Sequence, residues 1–286
     1  MTPVSVTRDD GYRGIWYSNQ PSGDAYKFKY SGGFATYPQQ HLPIAVHAPR
    51  ANKTFFVYGG ARKGTNNALL HLVSYFDHAT RTVPRPVVLL DKKTDDAHDN
   101  PVLQIDDAGH LWVFGNAHGT ARPSYLHRSV RPFAIDAWER VAETNFSYGQ
   151  PWHLGPGHGF LFLHTRYKSG RGLHWMTSRN GLRWNDPRPL ARMAQGHYQV
   201  SWRRGTTVAT AFDYHPATGG LNARTNLYLL QTDDMGGTWR TAGGAPVTTP
   251  LTEVRNPALV HDYEAEKRLV YLKDLAFDAR SRPIVL

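Results

Sequence analysis

Three features of the 286-residue chain predict an all-β fold, a β-propeller of four-stranded antiparallel blades. Short apolar strands recur at a spacing of roughly 40–50 residues, the length of one such blade. The composition joins 12% aromatic residues to 26 glycines and 19 prolines, which suits many strands linked by tight turns and disfavours a helical bundle. One segment, TDDMGGTW, fills every fixed position of the turn pattern S/T-x-D-x-G-x-x-W, with Thr232, Asp234, Gly236 and Trp239.

Five stretches open a repeat: residues 41–60, 98–119, 148–167, 197–216 and 255–274. Each runs from a polar or aromatic residue into a short apolar strand. A turn follows, then a second strand rich in Phe, Val and Trp that ends in a polar cluster. Alternation inside these runs, as in Leu111–Val113 and Leu161–Leu163 flanked by Phe, is read as the mark of strands buried on both faces. Between these hairpins lie third and fourth strands, among them residues 69–77, 124–130, 172–178 and 225–232. Two are followed by the turn pattern. The second copy, TSRNGLRW, matches at Thr177, Gly181 and Trp184, with Arg179 where the Asp belongs. In this turn the Asp caps backbone N–H groups, the Gly takes a positive φ and the Trp packs between sheets, so the motif speaks for fold and not for chemistry.

Charge and composition limit the partners. The net charge is +10, yet the basic residues are scattered and no nucleic-acid-binding signature accompanies them. An acidic polysaccharide fits that charge, and neither nucleic acid nor membrane is expected as a partner. No segment nears the roughly 20 apolar residues that span a bilayer. The opening MTPVSVTRDDGYRGIWY lacks an apolar stretch and a cleavage site, so the chain as written reads as cytoplasmic, or as secreted or periplasmic if the N-terminus is incomplete. Zero cysteines exclude thiolate catalysis and Cys-ligated zinc. A monomer is expected.

The segments DGYRGIWYSNQ (10–20), SYFDHATRTVPRP (74–86), DDAHDNP (95–101), HGTARPSYLHRS (118–129) and TNLYLLQTDDMGGTW (225–239) together resemble the BNR/Asp-box repeat family. That family includes the propeller polysaccharide lyases acting on ulvan. The likeness spans essentially the whole chain. It implies a ring of seven blades, of which this sequence supplies about five, so a single domain over 1–286 is expected to be truncated at its C-terminus.

In a propeller the polar residues at one end of each blade's inner strands converge on the axis. Starts of first strands offer His41, His98 with Asp99 and Asn100, Tyr148 with Gln150, His197 with Tyr198, and Arg255 with Asn256. Ends of second strands offer Gly59, Asn116 with His118, His164 with Arg166 and Tyr167, Asp213 with Tyr214, and Lys273 with Asp274. Paired carboxylates at glycosidase spacing are not evident among them, and only Arg166 and Arg255 lie where a sialidase-type arginine triad would need them. Elimination across a uronic acid needs a donor or cation on the carboxylate, a base for the C5 proton and an acid for the leaving oxygen. His118, Arg166 and Tyr148 are of the right types.

The resemblance implies a carbon–oxygen lyase cleaving a uronate-containing polysaccharide, and carries the catalytic roles onto His98, His118, Tyr148 and Arg166. Asn100, Asn116, Tyr167, His197, Tyr198, Tyr214 and Asn256 are the expected sugar contacts. Structural alternatives stand beside each catalytic residue. His98 could cap a backbone carbonyl, and His118 could be a satisfied loop histidine. Tyr148 could be a wall that stacks on a sugar, while Arg166 and Tyr167 could stack between blades or pair with Asp213. The rival functions are a noncatalytic glycan-binding propeller and a sialidase-like glycoside hydrolase. No cofactor is expected. A structural zinc or calcium is the alternative; fifteen histidines raise the question of zinc, although His164, His174, His215 and His261 lack a short ligand spacing.

Overall fold

The computed structural model describes residues 1–9, 11, 40–61, 68–94, 96–167 and 170–286. The expected motif at 10–20 therefore lies outside the described residues, apart from Gly11. The chain is an all-β propeller of antiparallel blades, and its named helical elements among the described residues are short 3-10 turns at Pro49–Ala51, Ala97–Asp99 and Gly220–Ala223. No described helix is long and apolar enough to cross a membrane. Contacts divide the chain into two compact units, Met1–His153 and Leu154–Leu286.

The first unit opens with two short strands, β1 (Thr2–Val4) and β2 (Thr7–Arg8). A first blade follows from β3 (Ala45–Ala48), β4 (Lys53–Ala61), β5 (Leu69–Asp77) and β6 (Val87–Asp91). A second comprises β7 (Pro101–Ile105), β8 (Leu111–Gly115), β9 (Ser124–Ser129) and β10 (Trp138–Thr144), and β11 (Ser147–His153) ends the unit. Each blade gains a fifth strand from the N-terminal segment: the sheet orders are β2-β6-β5-β4-β3 and β1-β10-β9-β8-β7. The two N-terminal strands thus cover the outer edges of both blades, edges that would otherwise present unpaired N–H and C=O groups.

Burial on both faces explains the apolar runs. All five residues of β8 are buried, as are the first six of β5. Phe55, Val57, Val73, Val87 and Leu89 of the first blade pack against Leu103, Leu111, Val113, Ile135 and Trp138 of the second. Each such side chain contributes about 1.5–3 kcal/mol by leaving water. Because the pairing Pro101↔Gly115 closes one end of the β7–β8 hairpin, the residues just before β7 and just after β8 meet at that same end.

The second unit contains β12 (Phe160–Arg166), β13 (Gly172–Ser178) and β14 (Arg188–Ala191), paired in that order. Its next sheet holds β15 (Gln199–Arg204), β16 (Thr207–Tyr214), β17 (Thr225–Thr232), β18 (Trp239–Arg240) and β19 (Pro246–Val247). The remaining strands are β20 (Leu259–His261), β21 (Leu275–Phe277) and β22 (Pro283–Val285). Four of the five expected hairpin openings appear as strands. The fifth, 255–274, departs: β20 pairs with β17, and no strand occupies 262–274. Here Leu272 packs with Leu275, Val200, Ala209 and Ala211 without entering a ladder.

The turn after β17 is built as its pattern requires. Asp234 Oδ1 accepts from Thr238 N and from the Thr232 hydroxyl, both at 2.8 Å, and Thr232 Oγ1 accepts from Gly236 N at 2.9 Å. Gly236 has φ +79°, and a Cβ there would lie 2.6 Å from the Trp175 ring. Trp239 meets Trp175 edge to face at 5.9 Å, the packing between sheets that the motif implies. The second turn differs from its expected alignment by one residue. Ser178 Oγ accepts from Gly181 N at 2.8 Å, and Asn180 Oδ1 accepts from Leu182 N at 3.0 Å and Arg183 N at 3.1 Å. Ser178 and Asn180 therefore cap this turn, and Arg179 does not stand in for the Asp.

Candidate active site

The end of the β7–β8 hairpin carries a dense polar cluster. The 3-10 turn Ala97–Asp99 leads into β7, and the loop after β8 brings His118 and Arg122 against it. Asp96 lies at the centre. Its Oδ1 accepts from the His98 backbone N at 3.0 Å and pairs with His98 Nδ1, while its Oδ2 lies 2.8 Å from His118 Nδ1 and 3.2 Å from Arg122 Nη2. The two imidazoles stack with centroids 3.8 Å apart and planes 10° from parallel. His98 is nearly buried, whereas the His118 side chain is 38% exposed.

A second carboxylate fastens the loops. Asp99, fully buried, accepts from Arg122 Nε and Nη2, both at 2.9 Å, and from the His118 backbone N at 2.8 Å. Lys92 Nζ approaches the same carboxylate at 3.2 Å and donates to the carbonyls of Asn116 at 2.8 Å and Pro123 at 2.6 Å. Beneath them His71 Nε2 donates to the Asp99 carbonyl at 2.7 Å. Gly115 makes this approach feasible, since a Cβ there would lie 2.6 Å from the His71 ring.

These contacts set the electrostatics. Burial would raise the Asp96 carboxyl, but the hydrogen bonds from His118 and His98 hold it well below the usual carboxylate range. Burial acts on Asp99 in the same direction and is outweighed by Arg122 and Lys92, so this carboxyl too stays low. Burial lowers His98, assisted by the neighbouring His118 and opposed by Asp96. Burial also lowers Lys92, against the pull of Asp99.

Tyr148 stands behind the pair, at the start of β11. Its ring meets His98 edge-on at 5.8 Å and His41 at 5.6 Å, and only 1% of the residue is exposed. Its φ is +51°, an uncommon conformation for a bulky residue, of the kind that concentrates at functional sites. Neighbouring bonds hold it: Gly149 N donates to Asn116 Oδ1 at 2.7 Å, and the Ser147 hydroxyl donates to the Ala117 carbonyl. His41 Nε2 donates to the His98 carbonyl at 2.9 Å.

His98, His118 and Tyr148, each near the end of a strand, lie side by side. The His98 ring meets the Asp96 carboxylate, and Tyr148 is packed behind it with 1% of the residue exposed. Asn116 is corrected from sugar contact to loop brace: it is fully buried and also donates to the Asn100 carbonyl at 2.7 Å. Asn100 is half-buried beside it.

The remaining expected residues belong to the second unit. Arg166 ends β12 opposite Gly172, with Tyr167 next, and both are half-buried. The alternative ion pair with Asp213 does not form, since Asp213 Oδ1 accepts from Tyr198 N at 2.7 Å and lies 3.0 Å from His215 Nε2. His197 is corrected in the same way as Asn116. It is fully buried, with Nδ1 donating to the Asp213 carbonyl at 2.7 Å and Nε2 accepting from Met193 N at 3.1 Å. Tyr198, 4% exposed, has the guanidinium groups of Arg171 and Arg224 at 5.0 and 5.2 Å from its ring centre. Tyr214 ends β16 and is buried. The Asn256 side chain donates to Glu253 O at 2.8 Å and to Met193 Sδ at 3.7 Å, and accepts from Ala258 N at 2.9 Å.

Sequence reasoning missed Asp96, Lys92 and Arg122. A usable signal was present for Asp96, a carboxylate two residues before a histidine at the mouth of a turn. Lys92 and Arg122 sit in unremarkable loops. Asp96, His98 and His118 are also the one group of three potential ligands among the described residues whose donor atoms lie within 4.8 Å of one another. Those atoms are engaged with each other, and the Arg122 cation already occupies one side of Asp96.

The curated ulvan lyase of Nonlabens ulvanivorans is 26% identical over 195 residues, 57% of this chain and 41% of that protein. The chain thus spans about two fifths of that relative's length. A solved structure of a polysaccharide lyase family PL25 ulvan lyase aligns with TM-score 0.68 and 17% identity, covering 85% of this chain and 63% of that one. A second, of a PL25 ulvan lyase bound to -[GlcA(1-4)Rha3S]-, aligns with TM-score 0.69 and 16% identity, covering 97% of this chain and 67% of the other. These likenesses show the fold. The sequence profile described as BNR repeat-containing family member matches residues 73–286, across both hairpin-built units and the Asp-box turns, and the chain belongs to that family.

Proposed function

We propose that the protein is a polysaccharide lyase that cleaves an acidic, uronate-containing polysaccharide by β-elimination. The observation that carries the reading is the His98–His118 pair, two parallel imidazoles joined by one carboxylate. The ulvan lyase likenesses supply the reaction class. His118, the more exposed ring, meets the sugar and moves the proton, with His98 and Tyr148 completing the acid–base group. Arg166 is the proposed partner of the uronate carboxylate, whose charge grows toward an enolate-like transition state. The C5–H bond and the C4–O bond break, a C4–C5 double bond forms, the C5 proton passes to the base, and the acid protonates the departing oxygen. The reaction consumes no cofactor and no water.

The carboxylates of this cluster argue against a two-carboxylate hydrolase, because Asp96 and Asp99 are both tied to cationic or N–H donors. The test is incubation of the purified protein with ulvan and with other polyuronates, following the ultraviolet absorbance of the unsaturated product. A rise in absorbance with chain shortening is expected. Glycan binding without any absorbing product, or reducing ends released without unsaturation, would overturn the reading.

A further inference from the structure

We infer that Asp96 is a positioning residue that fixes the tautomer of both imidazoles at once, with the proton on Nδ1 and the lone pair on Nε2. The argument for the tautomers rests on the geometry of the free protein, and the catalytic consequence rests on the lyase reading above. An ionised carboxylate can only accept hydrogen bonds. Asp96 faces His98 Nδ1 with one oxygen and His118 Nδ1 with the other, at 2.8 Å for the second. Both Nδ1 atoms therefore carry protons, and each neutral ring keeps its lone pair on Nε2. Because the rings are near parallel and share one carboxylate, both Nε2 atoms lie on the ring edges remote from it. The arrangement doubles the carboxylate–imidazole relation that orients a single histidine in hydrolytic triads.

A merely structural Asp96 would serve to hold Arg122 and tie the two loops together. Asp99 already does this, with two bonds from Arg122, one from the His118 backbone and an ion pair to Lys92. To the backbone bond from His98 N within its own turn, Asp96 adds a longer 3.2 Å contact to Arg122 Nη2. The two acids thus divide the work: Asp99 docks the loops, and Asp96 sets the rings. Stacking at 3.8 Å also means that charge on one ring opposes charge on the other.

The experiment is tautomer-sensitive long-range 1H–15N correlation of the full chain, with the two rings assigned by loss of their signals in His98→Gln and His118→Gln. In the parent, both rings are expected to show protonated Nδ1 and unprotonated Nε2 when neutral. Asp96→Asn keeps the shape, but its amide offers one oxygen and one NH2, so at least one ring should turn over to the Nε2–H tautomer. The backbone amide spectrum should otherwise be retained, and Asp96→Glu should restore the parental tautomers in part. Turnover of Asp96→Asn should fall about ten- to a thousandfold with KM nearly unchanged, the signature of a misdirected acid–base group. Nε2–H tautomers in the parent would overturn the inference, and this measurement decides it even if Asp96→Asn does not fold. Unchanged tautomers in a folded Asp96→Asn would overturn it equally. A parent that gives no unsaturated product from any polyuronate would defeat the lyase reading, while the tautomers would still decide the role of Asp96.

Discussion

At the scale of single residues, the functional reading separates side chains that act only in the transition state from those that also bind the substrate. Replacing His118 by Ala removes the proposed proton carrier, so turnover should fall by about two to four powers of ten while glycan affinity changes little. Arg166→Ala should weaken turnover and affinity together, because a cation facing a carboxylate contributes in both states. Arg166→Lys should recover part of that loss and not all, since an ammonium lacks the planar fork of a guanidinium. Paired measurements of elimination rate and glycan affinity check these outcomes. Equal affinity losses in both alanine variants would favour a binding protein.

At the scale of elements, the two Asp-box turns make a graded set of expectations. Asp234→Ala removes the acceptor for Thr238 N and for the Thr232 hydroxyl, and should cost about 1–2 kcal/mol. Gly236→Ala should cost more, since it combines a left-handed φ of +79° with a Cβ placed 2.6 Å from the Trp175 ring. In the shorter turn Ser178→Ala should destabilise by about 1 kcal/mol, and Arg179→Ala should be close to neutral. Urea unfolding of the four variants tests the order. A costly Arg179→Ala with a silent Ser178→Ala would reverse the capping assignment made from the Gly181 and Arg183 backbone contacts.

At the scale of the whole molecule, buried neutral histidines make stability depend on pH. Burial, chiefly, lowers His71 and His164 to about 3, and His127 and His197 to about 4. In the unfolded chain each takes up a proton near its ordinary value of about 6.5. The unfolded state therefore binds more protons between these limits, so stability falls as pH drops from about 6.5 toward 4. Each histidine contributes a slope of up to about 1.4 kcal/mol per pH unit in that window. Denaturant midpoints measured from pH 7 to 4.5 should decline steadily, and His164→Asn should flatten the decline. A flat profile would show that these rings do not titrate on unfolding. The net charge of +10 adds a second expectation, that affinity for an acidic polysaccharide weakens as salt rises while any affinity for a neutral one does not.

What the sequence determined by itself was whatever local pattern and periodicity encode. Apolar runs such as Leu111–Gly115 marked strands buried on both faces, and TDDMGGTW specified a turn whose bonds are all local. The ends of the β7–β8 hairpin were legible too, because the antiparallel pairing Pro101↔Gly115 follows from the turn between them and carries His98 and His118 to one end. The tertiary structure alone decided which neighbours those residues have. That Tyr148 is buried, that Asn116 and His197 brace loops, and that Asp96 joins two rings depends on loops from separate strands meeting in space. The same holds for 255–274, where an apolar pattern suited to a strand found a partner in β17 only over Leu259–His261. Side-chain periodicity reports which face of a strand is apolar, whereas hydrogen-bond partners distant in sequence are chosen by packing, and packing leaves no local trace.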